Sequence, residues 1–336
     1  MCIPTHHGRR DELELLLDSI LVQMPEVPEQ TVEICVSDNR SEDGTEQMLI
    51  ELGGAHPDAI RYRRRDRDLG AMRNIFAAVD LADGDYCWLM SSDDALAPGA
   101  LELVLDVLDD SPGVAGMTVN WATYDEAMTE VAYGEVPEIL PPGPRRPIHY
   151  TDFEALMRDC GVVLGYLSIH IVRREHWLSE VEGRRELLLE HPIFAQALAL
   201  GMVARRNPEW IWRPEAVVKN RPNNSAWVRP NALYRYHLDT TRDLTSVWKR
   251  LVGRGGTYRA LLWKWYRLCL TPSWLVTYKL EAQEDARCDR EMLVGLLRAL
   301  WPLREFWLRA LPVLLTPRAL LVRFPSLRAR LEALDG

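Results

Sequence analysis

The sequence predicts an α/β fold: a doubly wound, mostly parallel sheet flanked by helices, with a helical C-terminal region after it. Three observations carry this. Helix-like and strand-like patterns alternate from the N-terminus to about residue 122, the order expected of βα units around a parallel sheet. One strand candidate, DYCWLM at 85–90, is almost continuously apolar, as a strand buried on both faces must be. From about residue 229 onward the periodic stretches are all helical.

The elements follow in order. RRDELELLLDSILVQ puts Leu13, Leu16, Leu17, Ile20 and Leu21 on one helical face. TVEICVS (31–37) is short and β-branched, a strand. DGTEQMLIEL follows as a helix with Asp43 at its cap. AIRYRR is a strand and AMRNIFAAVDLA a helix; the arginines of 61–67 fit a charged edge strand. GALELVLDVLDD returns to helix through Leu101, Val104, Leu105 and Leu108, and VAGMTVNWA is another strand. The segment 131–150, rich in proline and polar residues, divides the chain as a loop. A helix at 151–160, a strand at 166–173, a helix at 186–200 and a Trp-rich strand pair near 203–219 are expected next. Only Met1, Cys2 and Ile3 precede Pro4, so the first strand is expected to be truncated, by a late start codon or by the choice of where the segment begins.

Hydrophobic residues are 47% and charged residues 26% of the 336, ordinary for a globular chain with a real core. The net charge of −9 argues against nucleic acid as a partner. The charge is uneven: from residue 231 on there are 18 Lys+Arg and 10 Asp+Glu, with six of the twelve tryptophans. The six cysteines form no CxxC pair. Cys35 and Cys87 read as core residues, and neither zinc site nor disulfide framework is expected, which fits a reducing, cytoplasmic setting. No leader peptide and no spanning helix are expected.

At the end of the 85–90 strand stand two serines and two adjacent carboxylates, Ser91, Ser92, Asp93 and Asp94. Asp38 stands at the end of the 31–37 strand. In an open parallel sheet, ligands bind at the carboxyl ends of strands, so these side chains are expected to share one crevice. Adjacent carboxylates repel, and a divalent cation, Mg2+ or Mn2+, relieves that repulsion while leaving positions for phosphate oxygens. The alternative is that Asp93 caps the helix near 98–110 and Asp94 is solvated.

Four elements of this region resemble family 2 glycosyltransferases of the GT-A fold. CIPTHHGRRDELELLLDSILVQ is similar to their IPTYNRxxxLxxxLxSIxxQ opening, and ICVSDNRSEDGT to VDNGSTDGT. DLGAMRN is similar to NxGxxxN, and DGDYCWLMSSDDALAPGAL to GDYxxxLDaDDxLxPgxL. The resemblance implies that Pro4, Thr5 and His6 border a nucleotide pocket and that Asp38 accepts a hydrogen bond from the base. It implies that Asn74, Ser91 and Ser92 lie beside the donor, and that Asp93 and Asp94 hold the metal. His6-His7 stands for the usual Tyr-Asn, Arg40 for a glycine, Asp68 for an asparagine and Ser91 for an aspartate. A catalytic domain at 1–228 is expected, with its nucleotide-sugar half at about 1–120 and its acceptor half at about 150–228, ahead of a helical region at 229–336.

An inverting transfer needs a base for the acceptor hydroxyl. Related enzymes place an acidic residue near a helix start; here LLLEHPIF offers Glu190, with His191 the alternative. His170 is either a third metal ligand or, preferably, a packed core residue. Arg173, Arg174 and 221–227 (RPNNSAW) are candidates for diphosphate or acceptor contacts. No QxxRW element is present, which favours addition of one sugar to a glycan or lipid-linked acceptor, as in surface polysaccharide assembly. A non-catalytic sugar-nucleotide-binding protein is the main alternative; a sugar-1-phosphate nucleotidylyltransferase fits less well, because IPTHHGRR has a single glycine. The Leu-, Trp- and Arg-rich C-terminal helices suit the interface of a membrane at its cytoplasmic face, or packing within a homo-oligomer.

Overall fold

A computed structural model describes residues 1–29, 31–125, 127–133, 146–221, 233–281 and 286–335. The chain forms two compact units, Met1–Pro222 and Asn223–Gly336. The boundary expected at 228 falls outside the described residues, as do 134–145 and 222–227 of the proposed loop and Arg-Pro segment.

In chain order the first unit runs β1 (Cys2–Thr5), α1 (Arg10–Leu21), β2 (Ile34–Asp38), α2 (Thr45–Ala55), β3 (Ile60–Arg64), α3 (Ala71–Val79), β4 (Tyr86–Trp88) and β5 (Ala95–Leu96). It continues α4 (Ala100–Asp110), β6 (Gly116–Tyr124), β7 (Val131–Tyr133), β8 (Ile148–Tyr150), α5 (Phe153–Cys160), β9 (His170–Arg173), α6 (Arg174–Val181), α7 (Arg185–Leu188), α8 (Ala195–Arg206) and β10 (Trp210–Asn220). β1, β2 and β3 are parallel, with β3 at the edge. A parallel bridge between Cys2 and Leu89 joins β1 to the end of β4, reinforced by Met90 N donating to the Cys2 carbonyl at 3.0 Å. The sheet then proceeds β4-β9-β6-β10-β5. β9 is antiparallel to both its neighbours, while β6 and β10 are parallel.

Burial follows the sequence pattern. Leu13, Leu16, Leu17 and Ile20 of α1 are fully buried, as are Cys87, Leu89 and Met90 around β4. Each such aliphatic side chain is worth roughly 1.5–3 kcal/mol against exposure. Gly116 begins β6 under the Trp210 ring; a Cβ there would lie 2.4 Å from that ring and 2.8 Å from the Ile171 carbonyl, so this crossing of three strands requires glycine.

Three expected elements differ. The 186–200 helix is broken into α7 and α8 by a turn, because Pro192 lacks an N–H and biases His191 away from helical backbone. The strand pair near 203–219 is one strand, β10, since α8 continues to Arg206 before the Asn207-Pro208 break. Pro214 is accommodated by a register shift between Arg213 and Ala216. The strand expected from 166 begins at His170, after a 3-10 turn over Leu167–Ile169.

The second unit is helical: α9 (Leu233–Val252), α10 (Gly256–Cys269), α11 (Pro272–Glu281), α12 (Ala286–Leu300), α13 (Leu311–Leu315), α14 (Arg318–Arg323) and α15 (Pro325–Glu332). Its core includes Trp248, Leu261, Tyr266, Tyr278 and Phe306. Buried Lys279 donates from Nζ to the carbonyls of Val313, Leu314 and Thr316 at 3.4, 3.0 and 2.7 Å, at the end of α13, where helical carbonyls run out of backbone donors. Trp263, Trp274, Trp301, Trp307 and Leu308 are exposed. Among the described residues no helix is long and apolar enough to cross a membrane.

Candidate active site

The carboxyl ends of β1 and β2 bring Thr5 opposite Asp38 in register. Paired residues of parallel strands share a face. Asp38 is 0% exposed. Its Oδ1 accepts from Ser41 N at 3.0 Å and from Ser41 Oγ at 2.5 Å. Its Oδ2 lies 3.8 Å from Arg64 Nε and accepts no hydrogen bond among the described residues; Thr5 Oγ1 is likewise buried without one. Buried polar groups are nearly always satisfied; these two oxygens, on neighbouring strand ends, are two of nine buried side-chain polar atoms without a hydrogen-bond partner among the described residues.

Asn74, in the first turn of α3, holds this pair. Its Nδ2 donates to the carbonyls of Thr5 and Ser37, each at 2.9 Å, and its Oδ1 accepts from Ser37 Oγ at 2.7 Å. The amide is thereby spent on positioning β1 and β2. Asp68 accepts from Gly70 N and Asn39 Nδ2, bonds that hold its carboxyl below the usual range and pin the loop after β2 to the start of α3. His6, next after β1, is half-buried with Nδ1 2.8 Å from the His7 carbonyl; Pro4 is also half-buried.

Beyond β4 the two adjacent aspartates have unlike surroundings. Asp93 is 19% exposed; Ser91 Oγ donates to its Oδ1, and Arg9 Nη2 lies 3.7 Å from its Oδ2. Asp94 is 2% exposed. Its Oδ2 accepts from Ser168 Oγ at 2.5 Å and Tyr166 Oη at 3.0 Å, its Oδ1 from Asn220 Nδ2 and Arg221 N, both at 3.2 Å. Burial, then the charge of Asp93, pushes the Asp94 carboxyl up to about 7. These four donors occupy both oxygens of Asp94 and tie it to the 166–168 segment and the end of β10. Ser91 N donates to Ser168 Oγ at 3.0 Å, Arg221 Nε donates to the Asp93 carbonyl at 3.1 Å, and Ser92 is buried in the same turn. Nor does Asp93 cap a helix: α4 starts seven residues later, after Gly99 with φ 74°.

The two clusters share one edge of the sheet. Cys2 and Leu89 are bridged in parallel, so Thr5 and Asp93 both lie in the carboxyl direction from that bridge. The Arg9–Asp93 contact closes the gap from the loop after β1. Other candidates fall elsewhere. Arg173 donates to Tyr86 Oη and the Pro112 carbonyl and lies over the Tyr86 ring at 4.6 Å; Arg174 N donates to the Asp85 carbonyl. Both are therefore at the amino end of β4, away from Asp93. His170 is a core residue: Nε2 reaches the Val163 carbonyl and Nδ1 the Thr118 hydroxyl, each at 3.1 Å, and burial lowers its pKa to about 4. Glu190, exposed, and His191, buried, lie in the turn between α7 and α8. Among the described residues no group of three or more His, Cys, Asp or Glu is placed to hold a metal. Arg9, Tyr166, Ser168 and Asn220 were not anticipated; Arg9 stands in the IPTHHGRR element, but nothing local distinguishes the other three.

The sequence profile of glycosyl transferase family 2 matches residues 1–176. Abequosyltransferase RfbV of Salmonella typhimurium is 47% identical over 108 residues, 32% of this chain and 32% of that protein. Chondroitin synthase of Escherichia coli is 36% identical over 75 residues, 22% of this chain and 11% of that protein. The chain thus aligns with about a third of the first relative's length and about a tenth of the second's. Among solved structures, S. aureus TarS 1-349 in complex with UDP-GlcNAc superposes with a TM-score of 0.52 at 14% identity, over 88% of this chain and 83% of that one. Mannosyltransferase PcManGT from Pyrobaculum calidifontis, in complex with GDP-Man and Mn2+, gives 0.52 at 16% identity, over 99% and 83%. The fold is thus the GT-A type. Because the family profile spans more than half of the chain and contains β1, β2, β4 and both strand-end clusters, this protein belongs to glycosyl transferase family 2 and is a glycosyltransferase.

Proposed function

We propose that this glycosyltransferase moves one sugar from a nucleotide-sugar donor to a glycan or lipid-linked acceptor, with inversion and with a divalent cation on the diphosphate, in the assembly of a surface polysaccharide or glycoconjugate. The observation that carries the donor reading is the orphaned pair, Asp38 Oδ2 and Thr5 Oγ1, on the edge shared with Asp93. A base with a ring N–H would donate to Asp38 Oδ2. That TarS and PcManGT bind UDP-GlcNAc and GDP-Man supports a nucleotide sugar.

For the cation, Mg2+ or Mn2+, Asp93 is the better ligand, because both oxygens of Asp94 already accept hydrogen bonds. Asp93 keeps solvent access, and a single protein carboxylate completed by waters and phosphate oxygens is a common set for these ions. Bound there, the ion would offset charge on the leaving diphosphate. The chain's own parts act around it: Arg9 steadies the Asp93 carboxylate, Asp94 ties the aspartate turn to the 166–168 segment and to the end of β10, and Glu190 takes the acceptor proton, with His191 the alternative. The exposed tryptophans and basic excess of the second unit support contact with a cytoplasmic membrane face.

A panel of UDP-, GDP-, CDP- and dTDP-sugars, incubated with and without Mn2+, tests the reading. One nucleotide class should be hydrolysed slowly, with Mn2+ stimulating release of the diphosphate. Thermal stabilisation by a nucleotide with no turnover of any sugar would instead favour a binding protein without catalysis.

A further inference from the structure

We infer that Arg40 is a donor-binding residue whose guanidinium closes over the base and ribose of a nucleotide seated at Asp38 and Thr5. This rests on the donor reading above and adds a residue to it. Arg40 follows Asp38 and Asn39 directly and has φ 63°, the left-handed region that glycine occupies freely and other L-residues reach only at a cost. The closest comparison within the chain is Met128, the other described non-glycine residue with positive φ. Met128 buries its side chain to 7% exposure, so packing offsets the backbone cost there.

Arg40 has no such compensation. Its side chain is 53% exposed, and among the described residues it forms an ion pair with Glu42 at 3.9 Å, Glu42 itself being 68% exposed. Exposed pairs of this kind contribute little. An outlier kept without a structural return, two residues from an orphaned buried carboxylate oxygen, points to a ligand. A guanidinium is planar, stacks on aromatic faces and donates in its own plane, which suits a nucleobase and its ribose. The phosphates belong at the other end of the site, beside Asp93.

Two variants separate backbone from side chain. R40A keeps a Cβ on the left-handed backbone and removes the guanidinium; R40G removes both. Ligand-free R40G should melt about 3 °C above R40A. Calorimetric titration with UDP, GDP, CDP and dTDP in the presence of Mn2+ identifies the nucleotide that the unaltered protein binds most tightly. Both variants should bind it about tenfold more weakly, the scale of one lost polar or stacking contact, and by the same factor when its monophosphate replaces the diphosphate. If the unaltered protein binds none of the four, the donor reading and this inference fall together. If it binds one and both variants match it, Arg40 alone loses its role. A loss that deepens from monophosphate to diphosphate would move the contact to the phosphates and overturn the assignment, and an R40G that melts no higher than R40A would remove its premise.

Discussion

Tyr166 Oη donates to Asp94 Oδ2 at 3.0 Å, joining positions 72 residues apart. With Ser168, Asn220 and the Arg221 N–H on the same carboxylate, it fastens the turn after β4 to the entry of β9 and the exit of β10. Side-by-side aspartates are tolerated because their needs are met separately. Asp93 has a guanidinium neighbour and some solvent; Asp94 has four hydrogen-bond donors and a raised proton affinity.

Substitution should split the two roles. D93N should fold normally, lose its response to Mn2+ and slow transfer by at least ~100-fold, the scale of a lost electrostatic stabiliser. D94N should keep the same half-saturating Mn2+, because an amide can still accept from Asn220 and Arg221 while donating to the rotatable Ser168 and Tyr166 hydroxyls. D94A, which strands those donors, should lose roughly 2–5 kcal/mol of stability. Chemical denaturation and Mn2+ titration of activity check these; a D94N that loses the Mn2+ response as D93N does would return Asp94 to the metal.

The catalytic base is a second test. E190Q keeps the size of the side chain and removes its basicity, so transfer should fall about 100- to 10,000-fold with nucleotide affinity unchanged. Parallel assay of H191Q discriminates the alternative: an active E190Q beside an inactive H191Q would assign the base to His191.

Much of this arrangement was legible locally. DYCWLM read as a strand buried on both faces, and Cys87, Leu89 and Met90 are fully buried. Asp38 and Asp93 could be set at strand ends because a strand's end is a local property. The direction of β9 could not be read, since periodicity reports faces and not polarity. Nor could the burial of Asp94, whose side-chain partners come from Tyr166, Ser168 and Asn220, far along the chain. The break before α8 does have a local signal in Pro192, set within an apolar spacing that is itself helical across 186–200. Arg40 was visible as a substitution for glycine; its backbone conformation was not.

Buried His170 also predicts an acid-sensitive fold. Burial holds its pKa at about 4, below the ordinary value near 6.5, so the unfolded chain binds the extra proton first as pH falls. Its contribution is therefore intact above about pH 6.5 and is lost progressively down to about pH 4, on the order of 3 kcal/mol in all. Asp94, raised to about 7, acts in the opposite sense over the same window and His237, lowered to about 4, in the same sense, so the His170 part is read as the difference in denaturant midpoint between the unaltered protein and a variant from pH 7 to pH 4. H170Q, which can still bond Thr118 and the Val163 carbonyl, should start lower and fall less steeply; an unchanged slope would relieve His170 of the effect.

Membrane contact is the last test. Trp301, Trp307 and Leu308 are exposed, and Trp307 Nε1 donates to the Trp301 backbone carbonyl at 2.9 Å, which holds the Trp307 indole beside that turn. Arg304, Leu308 and Arg309 line one shallow cleft with Glu305. Indoles beside guanidinium groups match the boundary between acyl chains and anionic headgroups. Each basic residue at such a surface adds about 1 kcal/mol, so R304E/R309E should weaken binding to phosphatidylglycerol vesicles at least ~30-fold. W301S/W307S should weaken it too, but with less dependence on salt, because only the arginine contribution is screened. Flotation of the full chain with phosphatidylglycerol and with phosphatidylcholine vesicles reads both effects. A full chain that floats with neither would assign the patch to contact between copies, which sedimentation of the same variants would then reveal as a loss of association.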